Sequence, residues 1–212
     1  GVADGRWTTS YKKKIIESDR HSFIQAEQLI VPSFPGHLDW VPHETTEFLR
    51  KTFLKKTASK RSSSPERIYI SRANAKYRQV LNETEVSQIL SQYGFTTVYL
   101  EKMSVAEQAS LFANAKAIVA PHGAGLTNLV FCNLETTIIE LFSPNYVRTD
   151  YWMISHQLKL KHYYIVGENF DCYPLRQLMY QNSLTEDILV NINSLTSALQ
   201  VAGLADGNYT GN

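Results

Sequence analysis

Cysteine is scarce. Only Cys132 and Cys172 occur in 212 residues, far apart and outside any CxxC pair. That argues against a disulfide framework or a structural zinc site and points to a reducing compartment, so the expected location is cytoplasmic. Long apolar runs are missing as well: no stretch approaches the roughly 18 residues of a membrane span. The opening GVADGRWTTS has no apolar signal-peptide core. Neither sign of charge dominates, with 21 Lys and Arg against 20 Asp and Glu, net +1. Nothing therefore draws the whole molecule onto nucleic acid or anionic lipid, and a charged ligand must be met by a local site. Absent too are GxxxxGK[ST], HExxH, GxSxG and any Asp-x-Asp pair, and the histidines at 21, 37, 43, 122, 156 and 162 show no i, i+4 pairing. No metal ligand and no cofactor is expected, so a diphosphate would be neutralised by arginine and helix dipole. Two glycosylation sequons, at Asn82 and Asn208, occur at chance frequency and are read as unused.

What is present describes one globular domain, or at most one and a half. Hydrophobic residues make up 43% of the chain, with 12 Tyr, 9 Phe and 3 Trp, which excludes disordered, collagen-like and coiled-coil chains. From residue 67 onward apolar runs alternate with amphipathic stretches, as in successive βαβ units. Strands are predicted at 67–72, 96–101, 117–122, 136–142 and 162–167. Between them helices are predicted from Glu83 to Gln92 behind Asn82 as N-cap, from the Ser104/Glu107 capping box to about Ala115, from the turn at 123 to about Cys132, and over 150–160. A second capping box, Ser183 and Glu186, is expected to open a final helix reaching Val201. The strands read as continuous apolar runs, the mark of a parallel sheet covered on both faces, so the fold class is α/β with a Rossmann-like doubly wound sheet. Residues 1–60 differ, with a strand expected at 28–34 and a helix at 45–56, and the basic, Ser-rich 56–67 reads as an exposed linker. The expected division is 1–60, then a nucleotide-binding domain at 61–212.

Ligands of open parallel sheets bind beyond the carboxyl ends of the strands. Four exits are legible: Ser71-Arg72 with Arg78 and Asn82-Glu83; Glu101 to Ser104, including Met103; His122-Gly123-Ala124-Gly125-Leu126-Thr127-Asn128; and Glu140. In the third, two glycines allow close main-chain approach, and a helix N-terminus with Thr127 and Asn128 favours phosphate. Arg72 and Arg78 add planar, permanently charged forks. His122 either donates to an anion, takes a proton, or only packs; Glu140 either holds ribose hydroxyls or accepts from the backbone. Gly123-x-Gly125-x-x-Asn128 followed by Glu140 also approaches a dinucleotide fingerprint. It lacks the third glycine, and three strands precede it where the fingerprint normally opens its domain, so an NAD-type oxidoreductase is the lesser alternative.

These residues resemble the family 61 glycosyltransferases, which include plant xylosyltransferases, animal O-linked N-acetylglucosaminyltransferases and bacterial polysaccharide enzymes. The resemblance is carried by AEQLIVPSFPG at 26–36, YISRANAKYRQVLNETEV at 69–86, the stretch through HGAGLTNLVF at 93–131, and IIELFSPNY at 138–146. It implies the C-terminal half of a GT-B enzyme, with a nucleotide-sugar donor, UDP-linked, bound in this half and metal-free transfer with inversion to a glycan or glycoprotein. Arg72, Arg78, Asn82 and Glu83 match the first family motif; His122, Gly123, Ala124, Gly125, Thr127 and Asn128 match the second. Met103 would pack on the uracil ring. An aromatic and His-containing stretch usual upstream of the IVPS segment is missing, so the resemblance implies either a fragment of a longer polypeptide or a donor half that has lost its partner; the catalytic base, which in a two-domain cleft commonly comes from the opposite lobe, is not identified. The alternative on the same residues is a nucleotide-binding module without turnover.

Overall fold

The computed structural model describes residues 40–57, 64–169 and 172–205, together with 27, 28 and 36. The chain divides into two compact units, Gly1–Pro35 and Gly36–Asn212, and everything below concerns the second. The strand expected at 28–34 lies, but for Gln28, outside the described residues.

Five strands, β1 (Arg67–Ile70), β2 (Thr96–Val98), β3 (Ala117–Pro121), β4 (Thr137–Phe142) and β5 (Lys161–Val166), form one parallel sheet in the order β2-β1-β3-β4-β5. The five predicted strands are all found. Residues of β3 and β4 are buried along their whole length, which is why they read as unbroken apolar runs rather than alternating ones. Their side chains split between two cores. Ile68, Ile70, Ile118 and Ile138 face one side, where Ala109, Leu111 and Phe112 of α3 (Val105–Asn114) and Ile154 of α4 (Asp150–Gln157) cover them. Leu49, Phe53 and Leu54 of α1 (His43–Thr57) pack on that same core. Tyr69, Val119, Ile139 and Leu141 face the other side, under Val86 and Leu90 of α2 (Glu83–Gln92) and Leu195 and Leu199 of α6 (Ile192–Val201). Helices on both faces make the sheet doubly wound, and the order reverses between β1 and β3, the switch point where such sheets open a crevice.

Local signals explain most boundaries. The Ser104/Glu107 capping box of α3 is formed in both directions, and Gly94 stops α2 at φ +77°, a left-handed conformation that glycine adopts without strain. Arg50 of α1 donates to the carbonyls of Val130 and Cys132 at 2.7 and 2.6 Å, satisfying the end of the segment that follows β3.

Three expectations change. The segment after β3, Ala124–Phe131, is a 3₁₀ helix rather than an α-helix. Asn82 makes no cap bond to α2; its amide instead donates to Val190 O and accepts from Val190 N, at 2.9 and 3.0 Å. The final helix starts nine residues after Ser183, at Ile192, with Asn191 accepting from Ser194 N. Glu186 cannot cap a helix at Ser183 because its fully buried carboxylate is taken by Arg176 at 2.7 Å and by Asn145. Arg176 belongs to an unanticipated short helix, α5 (Tyr173–Met179). Residues 186–191 consequently run as an extended strap: Ile188 bridges Val80, and Leu189 O accepts from Glu168 N at 2.8 Å.

Both cysteines are free, Cys132 buried and Cys172 exposed. Among the described residues no helix is long and apolar enough to cross a membrane.

Candidate functional site

At the carboxyl edge of the sheet lies an open cavity of about 480 Å³. Its wall draws on the exit of β1 (Arg78), the exit of β3 (His122, Gly123, Ala124 and Thr127), the loop after β4 (Tyr146 and Arg148) and the start of α4 (Asp150, Tyr151 and Ile154), with Trp40 and Val41 ahead of α1. Loops from both sides of the switch point thus meet there, as the topology requires.

The cavity is cationic at one end. Arg78 and Arg148 both stand over the Tyr146 ring, 5.4 and 6.0 Å from its centroid. Arg148 is paired with Asp150 at 3.1 Å. Arg78 donates to Leu184 O at 3.0 Å, and Arg72 donates to Tyr77 O at 2.9 Å; the Nε of each is buried without a hydrogen-bond partner, and neither arginine forms an ion pair among the described residues. Burial, then the neighbouring Arg78 charge, holds the Arg72 guanidinium below the ordinary arginine value. Arg78 also sits at φ +56°, a left-handed conformation that costs a non-glycine residue on the order of 1 kcal/mol. Asp187 acts on Arg72 less than burial and the Arg78 charge do, so the two like charges are incompletely offset, an arrangement that an anion relieves.

Gly123 has an extended backbone, φ 168°, which any residue adopts, so it is glycine for space. A Cβ there would stand 2.2 Å from Arg72 Nη1: the guanidinium lies directly over the turn. At Gly125 a Cβ would meet Leu100 Cδ1 at 2.9 Å, so the second glycine is required by packing. Thr127 is exposed, lines the cavity together with Tyr151, and acts on the Tyr151 hydroxyl, whose own titration burial pushes upward.

The remaining predicted site residues lie off the wall. Asn128 turns inward to Gln108 Oε1 and Gly125 O, at 2.9 and 3.1 Å. Glu83 accepts from the buried Tyr69 hydroxyl at 2.9 Å, Asn82 is occupied by Val190, and Met103 packs against the core on the α3 side. Glu140 is fully buried beneath the cavity. One carboxylate oxygen lies 2.6 Å from His122 Nδ1 and the other 3.0 Å from His162 Nε2, so neither is left for a ligand. Of the twelve predicted residues, Arg78, His122, Gly123, Ala124 and Thr127 line the cavity, and Arg72 lies against Gly123.

Tyr146, Arg148, Asp150 and Tyr151 went unread. The signal was the rule already applied to the other exits: β4 continues to Phe142, so its exit is the loop 143–149 rather than Glu140. Among the described residues no cluster of His, Cys, Asp and Glu has the geometry of a metal site; His122 and His162 are each hydrogen-bonded to Glu140.

The chain is similar to known proteins. The glycosyltransferase 61 family model matches residues 6–139, well over half the chain. An EGF domain-specific O-linked N-acetylglucosamine transferase of Drosophila melanogaster is 37% identical over 78 residues, 35% of this chain and 15% of that protein. A beta-1,2-xylosyltransferase of Oryza sativa subsp. japonica is 35% identical over 63 residues, 30% of this chain and 12% of that protein. The human protein O-linked-mannose beta-1,4-N-acetylglucosaminyltransferase 2 is 31% identical over 111 residues, 51% of this chain and 18% of its own length. The matched stretches are thus less than a fifth of each of these relatives. By the family match and the residues that carry it, the chain belongs to the glycosyltransferase 61 family.

Proposed function

We propose that the cavity holds the diphosphate of a nucleotide-sugar, UDP-linked, and that the chain is the donor-binding part of a GT-B glycosyltransferase. The enzyme transfers its sugar with inversion and without a metal to a glycan or glycoprotein acceptor. The observation that carries this reading is the neighbouring pair Arg72 and Arg78, hydrogen-bonded among the described residues only to backbone carbonyls, with Arg72 over Gly123 and Arg78 on the cavity wall with His122. A diphosphate supplies the negative charge this cluster lacks, and guanidinium forks match its oxygens in pairs. The relatives named above are sugar transferases by name, which supports the class of reaction. The dinucleotide alternative has lost its ribose-binding acid, since both oxygens of Glu140 are engaged inside the core.

Calorimetry with UDP in the presence of EDTA tests the proposal on this chain. Saturable binding is expected, and Arg72→Ala should cost about 1–3 kcal/mol of affinity, as loss of a charge-assisted bond does, with little change in Tm. Absence of heat at millimolar UDP, or equal affinity in the variant, would sink it.

A further inference from the structure

The buried carboxylate under the cavity has unusual company. Glu140 lies on β4 with no exposure, and among the described residues its side-chain hydrogen-bond partners are two imidazoles. His162 is satisfied at both ring nitrogens, because its Nδ1 lies 2.7 Å from the Ser155 hydroxyl while Nε2 faces Glu140. His122 is satisfied at one. Its Nδ1 is committed to Glu140, and its ring is fixed by Phe142, Tyr146 and Tyr151, at centroid distances of 5.1, 5.4 and 5.1 Å. Its Nε2 has no hydrogen-bond partner among the described residues and is not sealed from solvent, and the ring lines the cavity.

A carboxylate on one imidazole nitrogen fixes the tautomer and stabilises the imidazolium, so proton traffic runs through the other nitrogen. We propose that His122 gives a proton through Nε2 to the departing diphosphate, and that Glu140 is the positioning residue that leaves Nε2 alone free to do so. This deepens the donor-site reading and rests on it. The bond between the anomeric carbon and the phosphate oxygen breaks, its electron pair passes to that oxygen, and the Nε2 proton follows. The acceptor hydroxyl oxygen forms the new bond to the anomeric carbon, its proton is released to water, and His122 recovers a proton from water.

Charged and titratable groups from several elements share the cavity with the ring. Around the ring stand Arg72 and Arg78 from the β1 exit, Tyr146 and Arg148 from the β4 loop, Asp150 and Tyr151 from α4, and, through Glu140, His162 from β5. A ring that gives a proton to the departing diphosphate must carry one while the diphosphate is bound, so proton uptake at His122 on ligand binding is the expected readout.

UDP is titrated into the 212-residue chain near pH ~7.5 in two buffers of different ionisation heat, which counts the protons bound, and His122→Asn is measured alongside to cancel the titration of UDP itself. The wild type should take up more protons than the variant, and its affinity should fall relative to the variant by up to about tenfold per pH unit on the alkaline side. Glu140→Gln should lose the excess uptake while still binding UDP. Because Glu140 is buried, that variant risks unfolding the chain, so nitrogen-15 NMR of the wild type at alkaline pH supplies a second readout: neutral His122 should carry its proton on Nδ1. Equal uptake in wild type and H122N, or a neutral ring protonated on Nε2, would overturn the proposal and leave the donor site standing. A wild-type chain that binds no UDP at any pH removes both.

Discussion

At the scale of single residues, two glycines in one turn do different jobs. Gly123 makes room for the far end of a flexible side chain, since the atom a Cβ would strike is Arg72 Nη1 at 2.2 Å. Gly123→Ala should therefore be tolerated by the fold, with Tm nearly unchanged, while the displaced guanidinium weakens UDP binding by roughly tenfold, about 1.4 kcal/mol. Gly125 makes room for Leu100, a buried core residue. Gly125→Ala should overpack the core and cost about 1–3 kcal/mol of stability, with affinity changed little once the protein is folded. Urea unfolding and calorimetry on the two variants separate these effects, and a matched loss in both would show that the glycines share one role.

Between elements, the strap that precedes α6 is the tie most easily broken. Asn82 and Val190 exchange two hydrogen bonds across 108 residues of sequence, and Val190 is buried. Asn82→Ala leaves a buried N–H and C=O unpaired, so unfolding in urea should show a loss of about 1–3 kcal/mol; a loss below about 0.5 kcal/mol would mean that water replaces both bonds. The same tie shows where the sequence stops being informative. Signals confined to a few residues, such as the Ser104/Glu107 box, Gly94 and the apolar runs of β3 and β4, fix elements correctly because both partners lie within one turn or one strand. Ser183 and Glu186 carry the same local pattern as Ser104 and Glu107, but Glu186 is captured by Arg176 and Asn145. That is a tertiary contact which no spacing rule contains. In the cavity the same division holds. Residues leaving strands, His122 directly after β3 and Arg78 in the loop after β1, follow from strand positions and the switch-point rule. The contact between Glu140 and His162 depends on β4 and β5 lying side by side, and the seat of Arg78 on Leu184 depends on the strap.

For the whole molecule, burial of titratable groups in the two cores sets the response to alkali. Burial pushes the Cys132 thiol from 9.0 up to about 12. Burial first, then the Glu83 charge, raises the Tyr69 phenol well above its ordinary 10.0. Both groups favour the folded state while neutral. Their contribution is therefore intact below the unfolded values and is lost as pH rises above about 9 for the thiol and about 10 for the phenol. Stability should be flat toward the acid side of that window and fall by as much as about 1.4 kcal/mol per pH unit for each group once inside it. Urea unfolding at a series of alkaline pH values checks this, and Cys132→Ala should flatten the first part of the fall. An unaltered slope would show that the thiol is not the group responsible.

The strap has one more consequence, and it concerns time rather than energy. The last strand closes at Val166, yet Arg78 is seated on Leu184, Gln79 on Asp187 and Asn82 on Val190. As the chain leaves the ribosome, all five strands are available long before the Arg78 side of the cavity has anything to rest on. The Arg78 side of the cavity is thus completed only after the sheet, and UDP binding at the proposed site is expected to distinguish a chain finished through Val190 from one that has only made its sheet.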